Sequence, residues 1–122
     1  MSGDVKASED VEVIVGRTAE DVAASFLDAV ARAERGEAVR ERVLSFESWE
    51  GLAAVMTGER YRLLRHLHAR PEPSVSALAR ALGRQYRRVH ADVAALEDAG
   101  LVAREPGAVR ATADAIRAEI RL

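Results

Sequence analysis

A chain of 122 residues has the length of one small domain, and its lack of cysteine excludes a disulfide framework, a thiolate metal site and a cysteine nucleophile. No apolar run approaches the ~18 residues of a spanning helix, and the first ten residues carry acids and one lysine where an export signal would be basic, so a cytoplasmic protein is expected. The net charge of −2 hides a division: residues 1–57 hold 6 basic against 12 acidic side chains, whereas residues 58–110 hold 10 arginines against 6 acids, the electrostatic footprint of a partner for a polyanion.

Residues 1–10 are small, polar and acidic, and read as a flexible tail. The β-branched run Val11–Val15 predicts a strand stopped by Gly16. Thr18 then stands as a helix N-cap with Asp21 three residues on, and Val22, Phe26, Val30 and Ala33 recur at helical spacing until Gly36. Residues 41–46 look extended again. The result is a β-α-β extension over 11–47, long enough for a parallel crossover, with an antiparallel arrangement also open.

Ser48 opens a second helix whose apolar stripe is Leu52, Val55 and Met56, and Thr57-Gly58 breaks it. Trp49, the sole tryptophan, is expected to anchor the joint beside it. Tyr61, Leu64, Leu67 and His68 mark one face of a third helix that must end before Pro71. His66 and His68 lie two apart and point in different directions, so they predict packing and no metal site.

Ser74 then caps a helix over Val75–Leu82, Gly83 makes a turn, and residues 84–99 carry Val89, Val93 and Leu96 on one side before Gly100. Ala79 allows the two backbones to approach, and Gly83 permits a left-handed turn. Flanking strands around Pro106-Gly107 predict a hairpin, and Ile116, Ala118 and Ile120 alternate with charge in a half-buried C-terminal strand over 114–122.

The order helix, helix, helix, strand, strand is that of a winged helix-turn-helix. The stretch from Ser48 to Thr112 resembles that of MarR-like and ArsR-like transcription regulators, above all in Ser74-Val-Ser-Ala-Leu-Ala-Arg-Ala-Leu-Gly83 and Val89-His-Ala-Asp-Val-Ala-Ala-Leu-Glu-Asp-Ala-Gly-Leu-Val102. It also looks like a group of small MarR-like DNA-binding proteins of archaea and bacteria, some encoded beside toxin-like partners, with a β-α-β extension and a Phe46-Glu-Ser48 lead-in. The resemblance implies a dimeric repressor, associated with the nucleoid, whose second helix enters the major groove of double-stranded DNA. The expected fold is α+β: a winged helix-turn-helix over 48–113, with the C-terminal strand completing a small sheet.

Placing 84–99 at 100° per residue with Val89 inward turns Arg84, Arg87 and Ala91 outward, with Arg88 on one flank and His90 on the other. Arg84, Gln85, Arg87 and Arg88 are therefore assigned to the groove, where arginine pairs bidentately with guanine. Tyr86 and His90 either touch phosphate or complete the core. Ser74 and Ser76 can donate to a phosphate at the start of their helix, and Arg104 and Arg110 flank the hairpin tip, placed to meet backbone or minor groove. Arg84 and Gln85 stand where a short capping side chain is usual, so the first turn lacks a cap.

Of the 59 apolar residues, 24 are alanine, which makes a thin core and predicts a homodimer. The acidic extension serves either that dimer or a basic toxin protein as partner. No catalytic triad, phosphate-cradling glycine loop or ligand set for a metal or cofactor emerges, so a non-enzymatic protein is expected.

Overall fold

The computed structural model describes residues 9–16, 19–36 and 42–122. Most of the expected tail, the Thr18 cap and Glu41 lie outside these. The fold is mixed α+β, with five helices and five strands among the described residues. It divides into two compact units, residues 53–114 and the segments on either side, and the division falls within a helix.

In the flanking unit, strand β1 (Glu9–Val15) leads to helix α1 (Ala19–Glu34) and strand β2 (Arg42–Phe46). The two strands pair in parallel, Val13 opposite Leu44, which selects the crossover over the antiparallel option. Helix α2 (Trp49–Val55) follows, with the Ser48 hydroxyl accepting from the Gly51 N–H. Strand β5 (Ala113–Ile120) takes the other side of β1, so the order is β2-β1-β5, and the Arg121 N–H donates to the Val15 carbonyl.

Being central, β1 buries Val11, Val13, Ile14 and Val15 on both its faces. Three apolar expectations fail in this unit. The α1 stripe stays open, with Val22, Phe26, Leu27 and Val30 all exposed and Phe26 at 66%. Trp49 is exposed at 55% and anchors no core. Ile116 and Ile120 are also exposed, so β5 is not half-buried. In each case the sequence marks an apolar side chain that stays exposed among the described residues.

In the central unit, α3 (Gly58–Ala69) starts on Thr57, whose hydroxyl accepts from the Arg60 N–H. Its buried face is Leu63, Leu64 and Leu67. Tyr61 and His68, expected on that face, are exposed instead. His68 Nε2 lies within hydrogen-bond distance of Asp114 Oδ1, at 2.8 Å, so it is a surface residue and not a packing one.

Helix α4 (Val75–Leu82) is capped by the Ser74 hydroxyl, which accepts from the Ala77 N–H, and ends at Gly83. Helix α5 (Tyr86–Asp98) packs on it, with Leu78, Ala79, Val89, Val93 and Leu96 buried between and beneath them. Full burial of each leucine and valine is worth roughly 1.5 to 3 kcal/mol, so these side chains set the corner. Strands β3 (Val102–Glu105) and β4 (Ala108–Ala111) form an antiparallel hairpin across Pro106-Gly107. Glu72 bridges to Val109 through both backbone hydrogen bonds, which ties the α3–α4 loop to the hairpin.

Gly83 holds φ +66°, and a Cβ there would meet nothing within 4 Å. Steric room is therefore not at issue, only the left-handed backbone. Gly83→Ala is expected to cost ~1 to 2 kcal/mol and Gly83→Asn less, because asparagine tolerates that conformation. Thermal melting checks the order, and equal costs for the two would contradict it.

Candidate functional site

The corner presents one end of α5 to solvent. Val89, Val93 and Leu96 fix which side of the helix faces inward. Gln85, Tyr86, Arg87, Arg88, His90 and Ala91 are consequently all exposed. Gln85 occupies the N-cap with no side-chain hydrogen bond, as expected, so the Tyr86 and Arg87 N–H groups keep their donor capacity, while the Arg88 N–H donates to the Gln85 carbonyl. The helix starts at Tyr86, two residues later than the sequence suggested. Tyr86 and His90, one turn apart, put their rings 5.7 Å from one another on this outer face, which sets aside the alternative of completing the core.

What distinguishes the arginines is their partners. Arg84, expected outward, is turned in: its side chain is 18% exposed, and Nη2 lies 2.9 Å from Asp92 Oδ2. Asp92 Oδ1 accepts from Arg60 Nε at 3.0 Å, and Glu59 lies 3.8 Å from Arg84 and 3.5 Å from Arg62. Arg60 also donates to the Ala54 and Val55 carbonyls. Arg84 is thus a brace between α3, the turn and α5 and does not stand outward as its helical position suggests, because a carboxylate eight residues on reaches back to it.

The hairpin arginines are likewise engaged. Arg104 donates to Glu97 through Nε and Nη2, at 3.0 and 2.8 Å. Arg110 donates to Glu105 at 2.5 Å. Each arginine flanking the tip is thus paired with an acid at the surface. Arg70 stands 3.9 Å from Glu72, whose other close partner is His66 at 2.6 Å.

Of the ten arginines in residues 58–110, four have no acidic partner within ion-pair distance among the described residues: Arg65, Arg80, Arg87 and Arg88. Arg65 lies over the Tyr61 ring. The other three belong to α4 and the first turn of α5. Ser76 is exposed on α4 as well, while the Ser74 oxygen is occupied in capping and keeps only its O–H to give. Arg80 was missed in the sequence reading, although it stands four residues from Ser76 and so shares its helix face; the absence of an acid near it is what singles it out. Uncompensated guanidiniums on α4 and the first turn of α5, with open backbone donors at the start of α5, are equipped to hold an anion, and their planar forks to bond a flat acceptor edge.

No helix among the described residues is long and apolar enough to cross a membrane. The model of the HVO_A0114 family matches residues 55–118, slightly more than half of the chain and inclusive of α3 to β4. No curated protein and no solved structure matches the chain.

Proposed function

We propose that this chain, which belongs to the HVO_A0114 family, is a sequence-specific double-stranded DNA-binding transcription regulator that acts as a homodimeric repressor. In this reading α3, α4, α5 and the β3–β4 hairpin are a winged helix-turn-helix, with α5 in the major groove. The observation that carries it is the pair of exposed, acid-free arginines at positions 87 and 88, on the first turn of a helix whose opposite face is locked by Val89, Val93 and Leu96. The N-terminal part of such a helix is the part that reaches base edges, and arginine there pairs with guanine. Ala91, one turn on, lets the backbone come close to the groove wall.

Support for a homodimer is the uncovered apolar stripe of α1 and a core poor in large side chains. A twofold axis relating two α5 helices would set half-sites about one turn of duplex apart, ~34 Å. With the hairpin arginines neutralised by Glu97 and Glu105, contact is concentrated on α4 and α5, and the hairpin contributes little to affinity.

Selection of bound oligonucleotides from a random duplex library tests this reading. The expected result is an enriched palindromic site with guanine-containing half-sites, bound with an affinity that falls steeply as salt rises. Recovery of no enriched sequence, together with no duplex binding at low salt, would overturn it.

A further inference from the structure

Beside the Arg87–Arg88 pair, α4 and the start of α5 enclose an open cleft of about 370 Å³ lined by Ser76, Ala79, Arg80, Gly83, Arg84 and Tyr86. Its walls carry two guanidiniums and two hydroxyls, and no carboxylate. Ala79 and Gly83 leave its floor free of long side chains. Arg80 is exposed with no acidic partner, and the Ser76 and Tyr86 hydroxyls make no hydrogen bond among the described residues. Behind this wall, Arg84 joins Arg60 and Arg62 in a network whose acids among the described residues are Glu59 and Asp92, so the network keeps one positive charge. A concave surface with fixed positive charge, spare O–H donors and no acid suits a phosphate and repels nothing that carries one.

We propose that this cleft seats a phosphodiester of the duplex backbone. Arg80 provides the ion pair, Ser76 and Tyr86 donate their hydroxyls, and Arg84, braced on Asp92, supplies charge from behind. The assignment rests on the DNA-binding reading and deepens it by giving the two sides of the corner separate tasks. Arg80 fixes where the protein sits along the backbone, whereas Arg87 and Arg88 meet the base edges. A contact to phosphate carries no base information, so its loss must weaken all duplexes alike.

The test uses the full chain with Arg80→Ala and Arg80→Lys, titrated against a selected duplex and a scrambled one over a range of salt. Arg80→Ala is expected to weaken both by the same factor, about fivefold at ~0.15 M salt, and to make the log K against log salt slope shallower by ~0.9, the signature of one released counterion. Arg80→Lys restores the slope. Thermal melting of Arg80→Ala stays at the wild-type value, since an exposed side chain without partners is removed. Wild-type binding combined with an unchanged slope in Arg80→Ala overturns the cleft and leaves the DNA-binding reading intact. Failure of the wild type to bind any duplex removes both. Inorganic phosphate separates the sources: if it raises the wild-type melting temperature in an Arg80-dependent way while the DNA salt slope ignores Arg80, the cleft takes a free anion and the backbone assignment is overturned.

Discussion

Replacing Arg87 and Arg88 together by alanine is expected to abolish discrimination of the selected site, with a loss of 10²- to 10⁴-fold in affinity. The magnitude follows from two bidentate base contacts at ~1 to 3 kcal/mol each, and the middle of that range, ~4 kcal/mol for the pair, equals the lower end of the ~4 to 10 kcal/mol that separates specific from non-specific binding. Folding should not change, because both side chains are exposed and neither has an acidic partner among the described residues. Fluorescence anisotropy on selected and scrambled duplexes, with a melting curve beside it, checks both halves. Because the contacts are to bases, discrimination falls much more than the salt slope does, the reverse of what Arg80→Ala should give. A parallel drop in melting temperature, or affinity for the selected duplex that survives the double change, would show that these arginines do not read the groove.

Removing the Asp92 carboxylate has the largest expected effect on stability. Asp92 is 14% exposed at its side chain and receives Arg60 and Arg84, themselves 20% and 18% exposed. Asp92→Ala leaves two largely buried guanidiniums without their anion. Nη1 of Arg84 and Oδ2 of Asp92 are each already buried without a hydrogen-bond partner, and beyond Asp92 the Arg84 guanidinium has, among the described residues, only Glu59, at 3.8 Å. Breaking a buried pair by deleting one side costs ~3 to 5 kcal/mol, and the remaining water access at these three groups brings the expectation to ~2 to 4 kcal/mol. For a unit of this size that is a fall in melting temperature of about 10 °C or more. Asp92→Asn, which keeps an acceptor but not the charge, should fall between. A melting curve of Asp92→Ala within a degree or two of wild type would mean that the brace contributes nothing and that Arg84 is free to swing outward.

The two predictions separate roles that the sequence presents as one. Arg84, Arg87 and Arg88 are three arginines in five residues, and a helical projection puts Arg84 and Arg87 on the same outer side. Only the position of Asp92 on α5, and of Glu59 and Arg60 on α3, removes Arg84 from that set. The hairpin shows the same effect. Arg104 and Arg110 look like cations flanking an exposed tip, yet Glu97 and Glu105 reach them at 2.8 and 2.5 Å.

Local signals were sufficient wherever the cause of a feature is local. The alternation of β-branched residues placed β1, the spacing of Val89, Val93 and Leu96 gave the inward face of α5, and the Ser74 hydroxyl capped α4 where its sequence context put it. Gly83 took the left-handed turn because no other residue there avoids a Cβ penalty, and Pro106-Gly107 closed the hairpin. The α+β class, the order of elements and the exposed edge of α5 all follow from these, since each depends on atoms within a few positions of one another.

Tertiary structure alone decided which apolar faces would be covered and which charges would stay free. Periodicity marks Val22, Phe26 and Val30 as one stripe, and Ile116 with Ile120 as another, but records nothing of what lies opposite, and both stand exposed. The parallel pairing of β1 with β2 and the place of β5 beside β1 depend on chain reversals tens of residues apart. Likewise an arginine is available to an anion only if no carboxylate of another element comes within about 4 Å, and at that range the interaction outweighs any preference encoded in neighbouring residues. Identity and spacing are properties of the chain; proximity between distant side chains is a property of its packing.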